Sequence, residues 1–303
     1  MHMRDIELRD LHSGNIYHVC TDGTDCPVLM RNKEDFEVAI TYMAIAAWRT
    51  SVRIAVYCIM SNHFHILILS NDRAAAQRFI RRFKQLYSTY LFKKYGTNAA
   101  MKGITDSITL IDSVDYLRTC IAYILRNAVC ARICRNIDEY PWSSYCCYFR
   151  DSPSVFEGIS VSSLTTRQRR ERLRIDCGLS DCPFLLNSNG QILPNSFVDS
   201  DFVEQVFGRS GKSFLYYLGH CNDAQMEYDL TVKSQIKAAD TDLAAEAEKI
   251  VRLHYPGKSL SQISTSNKCS IVKKLYFNNK TSIPQVSRVL GLPRSLVQKI
   301  LST

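Results

Sequence analysis

Two dense apolar runs, residues 52–60 and 66–69, stand almost end to end, with only Ser61-Asn62-His63-Phe64-His65 between them. Short runs of this kind read as strands of a buried sheet, here joined tightly through Ser61-Asn62. His63 and His65 open the second strand, where alternation sends both imidazoles to one face and Phe64 to the other. Two neutral imidazoles side by side can bind a divalent metal, provided a third ligand arrives from elsewhere.

The elements around this pair set a frame. Residues 16–20 alternate as a strand, and residues 33–49 carry Phe36, Ile40, Met43, Ala44 and Ala47 at helical spacing. Residues 73–94 form a long helix striped by Phe79, Phe83, Leu86 and Tyr90. Residues 107–111 alternate again, and Ser113 can cap a helix over 115–127. The order β-α-β-β-α-β is the split βαβ pattern of an α+β, ferredoxin-like antiparallel sheet, with one face under helices and the other expected to be free for nucleic acid.

Tyr123 and Asn127, four apart on the last helix, lie about 40° apart around its axis and project from one face. A helix laid on the histidine strand could deliver a nucleophile and a third ligand together. Three blocks carry a resemblance in wording: Cys58-Ile59-Met60-Ser61-Asn62-His63-Phe64-His65-Ile66-Leu67-Ile68, then Tyr123-Ile124-Leu125-Arg126-Asn127-Ala128-Val129, then Tyr140-Pro141-Trp142-Ser143-Ser144-Tyr145. With Ile16-Tyr17-His18-Val19 as first strand, the first 150 residues resemble the single-tyrosine HUH transposases, and most closely the REP-associated tyrosine transposase branch. Ser61 stands where relatives usually carry Pro, Ala128 replaces a Pro and Arg132 a Gly. The basic, aromatic segment expected before the fourth strand is weak over residues 101–106.

The resemblance implies a metal-dependent DNA strand transferase. Tyr123 would be the catalytic nucleophile, forming a 5′-phosphotyrosine on single-stranded, hairpin-forming DNA, and His63, His65 and Asn127 would hold one Mg²⁺ or Mn²⁺. A host-retained DNA-binding regulator without catalysis is the main alternative, which the intact His63, His65, Tyr123 and Asn127 disfavour. A relaxase or replication initiator using the same chemistry would carry differently worded motifs. Relatives act as dimers or monomers, so a homodimer is one expectation.

Charge divides the chain. The net +9 lies wholly in residues 249–303, which hold ten cations and no acid. This is the distribution of a nucleic-acid-binding module on a less basic body. The string from Ile283 to Leu301 looks like a helix-turn-helix, with Val286, Leu290, Leu292, Val297 and Ile300 as core. Arg294, Ser295, Gln298 and Lys299 remain to face the major groove of double-stranded DNA. Residues 73–94 hold seven basic residues and no acidic one, which favours phosphate contact by Arg78, Arg81, Arg82 and Lys84 over a merely solvated face. The expected domains are 1–150 (catalytic), 151–248 (a linker and small, acidic helical region) and 249–303 (helix-turn-helix).

Other features exclude functions. Gly211-Lys212-Ser213 and Gly257-Lys258-Ser259 mimic the end of a phosphate loop, but Val206 and Arg252 occupy the place of its leading glycine, so no nucleotide hydrolysis is expected. The twelve cysteines make no CxxC pair and read as reduced, apolar side chains. With no signal peptide and no run near the ~18 apolar residues of a membrane span, a cytoplasmic, nucleoid-associated protein away from membranes is expected.

Overall fold

The structure is a computed structural model, and it describes residues 7–21, 26–96, 101, 104, 106–150, 158–175, 179–220, 239–278 and 281–302. After a single turn, α1 (Leu8–Leu11), the strands β1 (Asn15–Thr21), β2 (Arg53–Ile59), β3 (Phe64–Ser70) and β4 (Asp106–Leu110) form one antiparallel sheet in the order β2-β3-β1-β4. Helix α2 (Lys33–Arg49) links β1 to β2, and α3 (Arg73–Tyr95) links β3 to β4. This is the ferredoxin-like arrangement expected from the element order.

Local chemistry sets the helix ends. Asn32 and Asp72 accept the backbone N–H groups of Asp35 and Ala75 as N-caps, and Gly96, at φ +66°, closes α3 in the left-handed conformation. The start of α2 and the end of α3 are tied by buried Asp35. Its carboxylate accepts from Lys94 Nζ at 2.7 Å, from the Tyr90 hydroxyl at 2.7 Å and from the Tyr95 hydroxyl at 2.9 Å. Phe64 packs on Phe83 of α3 with ring centroids 5.0 Å apart, so both helices lie on the Phe64 side of the sheet.

The opposite face departs from expectation. It is not left free for nucleic acid over β2 and β3, because α4 (Val114–Cys130) lies across it with α7 (Gly211–His220) packed on α4, and the 140–149 segment and α6 (Ser200–Val206) pack along β2. Every residue of β3 is buried, as is all of β2 except Arg53. The outer edge of β2 is also closed: Ile59 N–H donates to Trp142 O, Ser144 N–H to Tyr57 O and Asp199 N–H to Ile54 O. The cause lies in Tyr145, Tyr148 and Phe149, which meet Phe214 at centroid distances of 5.0–6.2 Å. Aromatics that the 140–149 segment could not bury alone are covered by a stretch whose acidic composition disguised it. Between these elements lies the basic helix α5 (Thr166–Leu173).

Helices α8 (Asp240–His254), α9 (Thr265–Asn278), α10 (Ile283–Leu290) and α11 (Arg294–Ser302) enclose a second apolar cluster. Val286, Leu290, Leu292 and Val297 are buried in it as read from the sequence. Gly291, at φ +63°, turns the chain between α10 and α11. Ser264 Oγ caps the start of α9 by accepting from Asn267 N–H. No helix among the described residues is long and apolar enough to cross a membrane.

Candidate active site

The site forms where β1, β3 and α4 meet. His18 and Cys20 alternate onto one face of β1, and the register sets Cys20 opposite His65 of β3. His18 Nε2 lies 3.1 Å from His65 Nδ1, and the two rings stack with centroids 5.3 Å apart. His63, just before β3, turns its ring edge-on to His65 at 5.1 Å, and its Nδ1 lies 2.8 Å from Asn62 Oδ1. From above, α4 brings Tyr123, whose ring is 5.2 Å from that of His65 and 6.2 Å from that of His18. Ser113 caps α4 by accepting from Tyr116 N–H. Leu117, Ile121, Ile124 and Leu125 bury the underside of the helix, leaving Tyr123 half exposed.

The electrostatics favour neutral groups. Burial lowers the pKa of His18 to about 4. Burial, together with the charges His63 and His18 can carry, lowers that of His65 to about 3. Both imidazoles therefore keep a lone pair at neutral pH. The Tyr123 phenol is pushed up by burial and by the Cys20 thiol, while its hydrogen bond with Asn127 pulls it back. It is protonated at neutral pH. The side-chain donors of His18, Cys20 and His65 all lie within 4.8 Å of one another, a candidate metal-binding group.

The structure thus brings His63 and His65 together with Tyr123, sets Asn127 in hydrogen-bond contact with the Tyr123 phenol, and adds His18 and Cys20, to which the sequence had given no role. The signal was present in part: a ferredoxin-like order puts the first strand beside the histidine strand, and His18 and Cys20 share one face by alternation. The cations of α3 are elsewhere. This helix lies on the Phe64 side, away from Tyr123. Arg78 and Arg81 are exposed there, Arg82 donates to Gln85 Oε1, and Lys84 is engaged with Ile104 O at 2.7 Å and Asp106 Oδ1 at 2.9 Å. On α11, Arg294, Ser295, Gln298 and Lys299 all lie on the exposed side, opposite buried Val297.

Comparison with known proteins agrees with the motif reading. Residues 28–105 match the family model described as transposase IS200 like. The N-terminal domain is similar to that family. The matched stretch includes His63 and His65 and ends before Tyr123, and it supports a transposase-type, DNA-processing function. Among solved structures, a REP-associated tyrosine transposase bound to a REP hairpin aligns at 12% identity with a TM-score of 0.33, covering 48% of this chain and 82% of that one. No curated protein matches the chain.

Proposed function

We propose that the protein cleaves and rejoins single-stranded DNA, with Tyr123 as the nucleophile. The observation that carries this reading is the position of a half-exposed phenol 5.2 Å from a buried, neutral imidazole at the open end of the sheet. The phenol gives up its proton as its oxygen attacks the scissile phosphorus, the bond from phosphorus to the 3′ oxygen breaks, and the 3′ oxygen takes up a proton and leaves as a hydroxyl. One phosphodiester replaces another, so rejoining needs no ATP. Asn127, hydrogen-bonded to the phenol, orients it.

A Mg²⁺ or Mn²⁺ bound there supplies Lewis-acid stabilisation of the phosphate and of the departing oxygen. His63, His65 and Asn127 would hold it, because two nitrogens and an amide oxygen suit a hard ion better than a set containing the Cys20 thiol does. When His65 donates from Nδ1 to His18 Nε2, its own Nε2 lone pair is left for the metal. His18 thereby fixes the tautomer and the ring orientation. In this reading residues 1–150 carry the chemistry, 151–248 buttress it and 249–303 bind double-stranded DNA through the exposed side of α11.

Incubating the protein with labelled hairpin DNA and Mn²⁺ tests the proposal. A denaturation-resistant adduct that maps to Tyr123 is expected. Cleavage without an adduct, or an adduct on half-exposed Tyr116, would overturn it.

A further inference from the structure

A cleft of about 980 Å³ lies between the N-terminal domain and the C-terminal helices. Arg31 and Tyr95 line one wall, and Arg252 of α8 and Lys268 of α9 line the other. The carboxylates nearby are already engaged. Glu248 accepts the Leu260 N–H with both oxygens at 3.1 Å, Asp240 is bound to Arg288 at 3.0 Å, and Glu34 and Asp35 hold Lys94. Arg31, Arg252 and Lys268 have no carboxylate within ion-pair distance among the described residues. Arg31 Cζ lies over the Tyr95 ring, 4.3 Å from its centroid. Lys268 is half-buried near the Gly291 turn, and burial together with repulsion from Arg31 lowers its pKa. Bringing like charges together in a partly desolvated cleft costs free energy that a bound anion would recover.

We propose that this cleft binds the sugar–phosphate backbone of a single DNA strand, with phosphates seated on Arg31, Arg252 and Lys268. A small anion would satisfy one cation at a time, whereas a chain of phosphates meets cations from both walls. The volume is that of a pocket for a few nucleotide-sized groups, too small for a duplex whose major groove alone is ~12 Å wide. The cleft sits beside the histidine loop, since Leu29 and Met30 N–H both donate to Ser61 O. The strand-binding role rests on the DNA-processing reading above.

The test uses the full chain without metal. Affinity for a fluorescent oligothymidine and for a duplex is measured against salt for the wild type, Arg252→Gln, Lys268→Gln, the double variant and Lys268→Arg. For single strands the slope of log K against log salt should fall by about 0.7 for each phosphate that is no longer neutralised, so by roughly 1.4 in the double variant. Lys268→Arg should keep the wild-type slope and duplex affinity should not change. Inorganic phosphate should compete only at far higher concentration than the oligonucleotide. If Lys268→Gln melts abnormally, exposed Arg252→Gln carries the test alone. Unchanged single-strand slopes in folded variants, equal weakening for duplex and single strand, or competition by phosphate as strong as by oligonucleotide would each overturn the proposal. Absence of a Tyr123 adduct in the wild type, with these slopes as expected, would sink the catalytic reading and leave the cleft standing.

Discussion

Two polar clusters are sealed into this protein in opposite ways. At the seam between the domains, buried Asp240 is fully met: it accepts from Ser61 Oγ at 2.7 Å, from Gln285 Nε2 at 3.2 Å and from Arg288 Nε and a terminal nitrogen at 3.0–3.3 Å. At the open end of the sheet, His18 and His65 share one hydrogen bond and are held uncharged beside a protonated phenol. A buried charge with complete partners fixes geometry and asks for nothing more. A cluster of neutral donors with lone pairs to spare is arranged to receive a cation and a substrate. The difference separates a structural joint from a reactive site more sharply than burial does, since both are largely out of solvent.

The largest test is removal of the nucleophile. Tyr123→Phe should abolish covalent adduct formation, seen as the disappearance of the slow-migrating species on denaturing gels, while DNA binding is nearly unchanged. The variant loses only the oxygen, and the ring keeps its place against His65. Asp240→Ala attacks the other cluster. It should destabilise the packing of α8 and α10 by up to ~3 kcal/mol, because partly buried Arg288 and the groups of Ser61 and Gln285 lose their common partner. Faster amide exchange in those helices, with β1 and β3 still protected, is the expected pattern. Uniform exchange across the chain would mean that the joint is not local.

Acid should separate the clusters next. His18 and His65 have folded-state pKa values below the ordinary 6.5, so the unfolded chain takes up protons that the folded one refuses. Their contribution is whole above pH 6.5 and is lost as pH falls towards their folded values. Near pH 5 this amounts to about 2 kcal/mol for each imidazole. In metal-free protein the melting temperature should drop over that window, and His18→Gln should flatten the drop. The same residue sets a smaller effect on metal binding. If His18 only orients His65, His18→Ala should weaken Mn²⁺ affinity about 10- to 100-fold with cleavage following it. Complete loss of binding would instead make His18 a ligand.

How much of this was legible follows from where each signal sits in the chain. The sheet could be read because the runs at 52–60 and 66–69 and the helix at 33–49 state their period locally. Tyr123 and Asn127 could be paired because four residues on a helix fix a shared face. Cys20 could not be matched to His65, because their approach is set by strand register across 45 residues. The covered face of the sheet was missed because Phe207 and Phe214 sit in a stretch whose acidic composition suggested separation from the body. The cations of α3 stand on the side of the sheet away from Tyr123, which composition alone does not reveal, and Lys84 is paired with Asp106.

The smallest effect sharpens the comparison most. Ser61 is one of the departures from the wording that the resemblance implies, and it had no visible meaning in the sequence. In the fold its hydroxyl donates to Asp240, 179 positions away, while its carbonyl accepts the N–H groups of Leu29 and Met30. Ser61→Ala removes one of three side chains on Asp240 and leaves Arg288 and Gln285 in place, so the cost should be about 1 kcal/mol, near that of a single hydrogen bond. Because Ser61 is two residues from His63, the variant also asks whether the joint supports the site. If the clusters are independent, Ser61→Ala should lower the melting temperature by a few degrees with cleavage rate and Mn²⁺ dependence unchanged. If cleavage fell tenfold while stability barely moved, the serine would be holding the histidine loop in register, and the joint and the site would have to be treated as one unit.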